Sequence, residues 1–227
     1  SGESTDTSLI DGKTKAYSNE YEKAILEKDS EDQLYKIIKF KVNDQDAYLA
    51  VVYDPSRLHV AYTKWLDKWG QYVTQMAEDH EAPLAINGGG FMDVNYNSNG
   101  QTPIGTTISY GKIITDYSYG SSTGGTIGLT NDNILVLLKG KSAQQAIQMG
   151  VRDAVTMGPF FVVNGKASFT KGNGGWGYAA RTAIGQRSDG IILLLVVDSN
   201  ETRTKGASMA DLATIMQNYG AINAANL

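Results

Sequence analysis

Residues 181–198 read RTAIGQRSDGIILLLVVD, and the reading of this stretch decides the fold. Two apolar runs, Ala183 to Gly185 and Ile191 to Val197, flank a polar turn at Arg187 to Gly190. Such runs on either side of a short turn predict paired strands. The second run is apolar at every position, which predicts a strand buried on both faces.

Working toward the C-terminus, Ser208 opens a helix with Asp211 in the capping position. Met209, Leu212, Ala213 and Met216 fall on one face of it, and Gly220 stops it. Working backward, Phe160 to Val163 and Lys166 to Phe169 flank Asn164-Gly165. Asn-Gly between apolar runs is the strongest short-range hairpin signal. Ser142 and Gln145 fit a capping box and Gly150 a C-terminal cap, predicting a helix over 143–149. Further strands are expected at 106–109, 112–115, 126–129 and 134–138, with turn chemistry at Thr130 to Asn133. Nearer the start, Ile38, Phe40 and Val42 alternate with Lys39 and Lys41, and a second run spans Ala47 to Tyr53. Together they predict a hairpin that ends at Asp54-Pro55. Between these regions, Gly70 to His80 carries Val73, Met76 and Ala77 on one helical face. Ala82 to Ile86 reads as a short buried strand, and Trp65 and Trp69, four apart, read as cover for a core face.

The polar residues 1–33, with a weak helical hint at Tyr21 to Leu26, read as a linker or loosely docked N-terminal segment. One domain is expected over 34–227. Hairpins interspersed with a few helices predict the α+β class, with mixed, mostly antiparallel sheets and a few packed helices.

Composition narrows function. The 227 residues suit one large domain, and 41% apolar with 19% charged residues is enough for a core. The net charge of -4 lacks the basic surplus of a general nucleic-acid binder. The absence of cysteine excludes disulfides, thiolate metal sites and a cysteine nucleophile, and leaves the compartment open. No stretch of 18 apolar residues exists to span a membrane. The polar start, Ser1 to Asp11, looks like a boundary from which a targeting segment or a membrane anchor was removed.

Three short segments could carry chemistry. Asn87-Gly88-Gly89-Gly90 follows the expected strand at 82–86. Its glycines allow close backbone approach and can aim amide hydrogens into a shared space, unless the run is only a strand-end turn. It lacks the Gly-Lys-Ser/Thr ending of a nucleotide phosphate loop. Arg181-Thr182 enters an apolar strand, where a cation needs a structural carboxylate or an anionic ligand. Asp198 ends an apolar strand, a place for chemistry or for a plain turn with Ser199 and Asn200. His59 and His80 lie away from these motifs, so neither a Ser-His-Asp triad nor a histidine zinc site is expected. Trp176, within the Gly172 to Tyr178 run, could stack on a sugar ring or pack in an Ω-loop.

Taken in order, Ala85 to Phe91, Pro103 to Gly105, Gly158 to Gly165, Arg181 to Gln186, Leu193 to Asp198 and Ser208 to Ala213 resemble the phosphodiester glycosidase domain. The resemblance covers about residues 35–227. It implies a hydrolase that cleaves the glycosidic bond of a sugar-1-phosphodiester. The expected partner is a phosphorylated glycan of the cell envelope or an exopolysaccharide, outside the cell or on its surface. Asp198, Arg181 and Asn87 would then be catalytic. Gly88, Gly89, Gly90, Thr182, Asn226 and Trp176 would bind substrate. The family usually continues from a segment like Asn223 to Leu227 into Asp-Gly-Gly-Gly-Ser-Ser, so a domain cut short at its C-terminal end, by truncation, cleavage or a missing continuation, is expected, and Ser199 stands where the family often has glycine. A carboxylate from that continuation, with Asp198, leaves a divalent cation such as calcium open as cofactor, with no metal ligands assigned. The alternative is a non-catalytic carbohydrate-binding or envelope-assembly module. A third is a structural cell-wall domain in which Arg181 and Asp198 pair in the core.

Overall fold

A computed structural model describes residues 5–93, 99–117, 124–168, 177–202 and 204–227. In chain order its strands are β1 (Tyr35–Val42), β2 (Gln45–Val52), β3 (Thr106–Ser109), β4 (Lys112–Asp116), β5 (Gly125–Thr130), β6 (Leu135–Leu138), β7 (Val151–Met157), β8 (Phe160–Val163), β9 (Lys166–Ala167), β10 (Arg181–Arg187), β11 (Ile192–Val197) and β12 (Ala221–Asn226). The helices are α1 (Glu20–Leu26), α2 (Val73–Asp79), α3 (Ala143–Gln148) and α4 (Met209–Asn218).

The strands form a 7-stranded sheet in the order β1-β2-β11-β10-β12-β8-β9 and a 5-stranded sheet in the order β4-β3-β7-β5-β6. Every strand pairing within them is antiparallel. The α+β class is as the sequence predicts.

The all-apolar run of β11 explains the layering. Leu193, Leu195 and Val197 pack on the face covered by α1 and α4, with Ile25, Met209, Leu212 and Met216. Ile192 and Leu194 face the second sheet, where Ile127, Leu129, Leu135 and Leu137 meet them. The outer face of the second sheet packs Ile108, Val136 and Ala154 against Ala146 of α3. The order of layers is therefore helices, sheet, sheet, helix. Each fully buried large apolar side chain contributes about 1.5–3 kcal/mol, which makes the β11 run the main apolar investment of the centre.

Local signals hold where their geometry is local. Asn164 and Gly165 both have positive φ, 51° and 79°, as the turn between β8 and β9 requires. Ser142 accepts from the Gln145 amide at the start of α3, and Ser208 from the Asp211 amide at the start of α4.

Other expectations are corrected. Residues 82–86 do not form a strand. The segment has no ladder partner, and Leu84 and Ile86 pack, partly buried, against the layer between the sheets. Trp65 and Trp69 do not cover the core: they are 44% and 63% exposed. Thr63 accepts from the Trp65 amide and donates to the Trp69 carbonyl, which winds 63–69 into a turn rather than a helix. In the N-terminal segment the helical hint at Tyr21 to Leu26 corresponds to α1, whose Ile25 is fully buried, and Thr5 bonds both the amide and the carbonyl of Leu137. Phe169 of the expected second arm after Asn164-Gly165 lies outside the described residues.

Candidate active site

The antiparallel registers bring the predicted residues to one end of the sandwich. Arg181, the first residue of β10, pairs with Val197, so Asp198 leaves β11 beside it. On the other side, Ala183 pairs with Asn226, and the Leu227 amide donates to the Thr182 carbonyl at 2.8 Å. Beyond β12, the Asn226 amide donates to the Pro159 carbonyl, and Asn226 Nδ2 donates to the Gly158 carbonyl at 3.1 Å. Asn226 is 5% exposed, so its side chain clamps the entry of β8 inside the rim.

The glycine run reaches this rim from the second sheet. Gly90 donates to the Thr156 carbonyl of β7 at 3.0 Å and accepts from the Ile104 amide at 3.0 Å. A Cβ on Gly90 would lie 2.7 Å from Ile104 Cδ1, and one on Gly89, whose φ is +74°, would lie 3.2 Å from Val155 Cβ. Both glycines therefore permit a close approach that side chains would obstruct. Gly88 is open: a Cβ there would meet only Leu227, just past β12, at 4.0 Å. Among the described residues, the amides of Asn87, Gly88 and Gly89 have no hydrogen-bond acceptor. The Gly90 amide, also expected to face ligand, is bound to Thr156 instead.

Alternation along β10 separates its first two residues. Arg181 shares a face with Ala183 and turns toward α4, where its Nε donates to the Ala207 carbonyl and its Nη2 to the Gly177 carbonyl, both at 3.0 Å. Burial lowers the pKa of the half-buried guanidinium from the ordinary arginine value. Thr182 shares the opposite face with Ile184, the side on which Leu227 and the glycine run lie. Asp198 is exposed; its amide donates to the Asp46 carbonyl, and among the described residues its carboxylate accepts no hydrogen bond. Trp176 lies outside the described residues.

Among the described residues no three His, Asp or Glu side chains converge to hold a metal ion. Calcium takes about six to eight oxygen ligands, and Asp198 brings one carboxylate toward it.

A second polar cluster was not legible in the sequence. Asp153, 1% exposed, contacts His59 Nδ1 at 3.0 Å and accepts from the amides of Val60 at 2.9 Å and Tyr110 at 3.2 Å. Arg152 bonds the same carboxylate and the carbonyls of Pro55 and Leu58. The cluster pins the connection after β2 onto β7. Ser109 donates to the Val60 carbonyl at 2.6 Å. The sequence separation of 94 between His59 and Asp153 leaves no spacing to read.

A family model described as phosphodiester glycosidase matches residues 80–227. The SPbeta prophage-derived protein YomE of Bacillus subtilis is 29% identical over 162 residues, covering 67% of this chain and 24% of that protein. The present chain thus spans about a quarter of that relative. Among solved structures, the catalytic domain of zebrafish N-acetylglucosamine-1-phosphodiester alpha-N-acetylglucosaminidase, auto-inhibited by its pro-peptide, is similar with TM-score 0.66 and 19% identity. That likeness covers 87% of this chain and 72% of the zebrafish one. A protein of Burkholderia pseudomallei follows at TM-score 0.52 and 17% identity, over 81% of this chain and 67% of its own. At these identities the structural likeness concerns the fold.

Proposed function

Because this chain belongs to the phosphodiester glycosidase family, we propose that it hydrolyses the bond between an anomeric carbon and phosphate in a sugar-1-phosphodiester of an extracellular or cell-surface glycan. The observation that supports this most is the convergence of four segments at one rim: the start of β10, the ends of β11 and β12, and the glycine run.

The chemistry asks little of a general acid, because a phosphodiester is already a good leaving group. It asks for cationic and N–H donors to hold the phosphate, and for a carboxylate beside the sugar. Asn87, Gly88 and Gly89 offer consecutive amides with no acceptor among the described residues, and such a run binds anions. Arg181 supplies positive charge from the other side of the rim, where partial burial strengthens its field. Asp198, exposed at the end of β11, takes a proton from water as the water oxygen bonds to the anomeric carbon. The carbon–oxygen bond to phosphate breaks, and its electron pair leaves with the phosphate. The products are a free sugar and a phosphomonoester. Thr182 and Asn87 orient the sugar or phosphate oxygens.

Hydrolysis of a defined sugar-1-phosphodiester in ¹⁸O-water tests this. Attack at carbon places the heavy oxygen on the sugar. Heavy oxygen on the phosphate would mean phosphorus–oxygen cleavage and would overturn the assignment.

A further inference from the structure

Asparagine precedes glycine at Asn87-Gly88, Asn99-Gly100, Asn164-Gly165 and Asn173-Gly174. The last of these lies outside the described residues. Each such step carries the same latent reaction. The glycine nitrogen can close a five-membered ring on the side-chain carbonyl carbon of the asparagine before it. Glycine brings no Cβ to obstruct that ring, and its backbone turns into it readily. The steps differ in how firmly the fold holds the two reacting groups.

Asn164-Gly165 is held at both. The Gly165 amide donates to the Ile222 carbonyl at 2.8 Å, and Asn164 Oδ1 accepts from the Asp6 amide at 2.8 Å. The Asn164 amide donates to Asn223 Oδ1 at 2.9 Å, which fixes the turn further. Asn99 is held through its side chain, whose Oδ1 accepts from the Gly70 amide at 3.0 Å. Its own amide donates to Gln101 Oε1 at 3.1 Å. Asn87 differs. It is exposed, and among the described residues its carboxamide has no hydrogen-bond partner. The Gly88 amide has no acceptor among them either, and a Cβ at 88 would meet only Leu227 at 4.0 Å. No hydrogen bond has to break there before nitrogen meets carbon.

We propose that Asn87-Gly88 is a self-modification site, at which the folded protein loses the Asn87 amide and gains a negative charge at the rim. The Gly88 nitrogen gives up its proton and bonds to Asn87 Cγ. The Cγ–Nδ2 bond breaks, and the nitrogen leaves with a proton as ammonia. Water then adds to one of the two carbonyls of the succinimide ring and opens it. The product is an aspartyl or isoaspartyl residue, a carboxylate at neutral pH in either form. Water is the only co-reactant.

The position gives the change its consequence. Asn87 begins the run of amides that receives phosphate on the hydrolase reading. A carboxylate there repels an anionic diester, and an isoaspartyl link displaces the amides that follow. This consequence rests on that reading; the modification itself does not.

The test follows mass and turnover together. Wild-type protein and Gly88→Ala are held at mildly alkaline pH, both folded and in urea, and conversion at each step is read by peptide mass mapping. A melting temperature confirms that Gly88→Ala is folded. In folded wild type, Asn87 should convert about tenfold faster than Asn99 and Asn164, where a held segment must first open. In urea the three rates should converge, because only the fold separates them. Gly88→Ala should slow conversion at 87 about tenfold and leave Asn164 as it was. Turnover of a sugar-1-phosphodiester should fall in step with conversion at 87.

Conversion at Asn87 no faster than at Asn164 in the folded protein would overturn the site, as would rates that stay equally unequal in urea. Full conversion at 87 with full turnover would overturn its consequence. Fast conversion at 87 in a protein that hydrolyses no diester would keep the modification and remove the hydrolase reading.

Discussion

Arg181 and Arg187 stand at opposite ends of β10 and on the same face, yet their surroundings differ. Arg187 is 4% exposed and held by charge: Glu22 Oε1 at 3.1 Å, both oxygens of Asp189, and the Tyr219 carbonyl. Around it Ser188 accepts from the amides of Asp11 and Gly12, and Asn164 from that of Asp6, so the N-terminal segment closes this end. At the other end Arg181 is half-buried, carbonyls of Ala207 and Gly177 accept from it, Asp198 is exposed, and three glycine-run amides lack acceptors among the described residues. A guanidinium enclosed by carboxylates is committed to the fold. Arg181 instead stands at the rim beside the exposed Asp198.

The comparison can be broken most readily by mutation at its two arginines. Arg187→Ala leaves two acids without their cation, and the expected cost is about 3–5 kcal/mol of stability by urea unfolding. A loss under 1 kcal/mol would dissolve the contrast. Arg181→Ala should lower turnover of a sugar-1-phosphodiester about 10²–10³-fold, as loss of an oxyanion donor does, with a much smaller change in unfolding midpoint. Equal losses of activity and stability would make Arg181 a fold residue like Arg187.

Two glycines sharpen the picture of the open end. Gly90→Ala drives a methyl into Ile104 and Met157 and should cost about 1–3 kcal/mol in a thermal melt. Gly88→Ala meets only Leu227 at 4.0 Å and should melt as wild type does.

The smallest effect is the pH response of the closed end. Desolvation pushes the Glu22 pKa up, but hydrogen bonds from Ser18 and the charge of Arg187 outweigh it, leaving it below the ordinary 4.5. The folded state therefore binds this proton less tightly than the unfolded one. Glu22 stabilises fully above about pH 4.5 and loses its contribution as pH falls through the lower folded value. Urea midpoints should fall on acidification in wild type and fall less in Glu22→Gln.

What the sequence conveyed follows the range of each interaction. The Asn164-Gly165 turn and the Ser208–Asp211 cap are completed within a few residues, so their types alone predict them. Ala82 to Ile86 has a strand's composition, but a ladder needs a partner, and this segment packs against the inter-sheet layer instead. The spacing of Trp65 and Trp69 suggests cover for a core face, whereas bonds to Thr63, Asn99 and Gln101 set a turn that leaves both rings exposed. Arg181 and Asp198 could be singled out because both edge an apolar run. Arg187 could not, since its partner Glu22 lies 165 residues away. The clamp role of Asn226 depends on β8 being the neighbour of β12, which no local pattern encodes.

The most direct test of the open rim as the phosphate-binding end is amide chemical-shift mapping with a non-hydrolysable sugar-1-phosphonate ester. The expected result is saturable shifts at Asn87, Gly88, Gly89 and Thr182, with Asn164, Ser188 and Gly190 at the closed end unmoved. Shifts centred on the closed end, or none at the glycine run at saturating ligand, would contradict it.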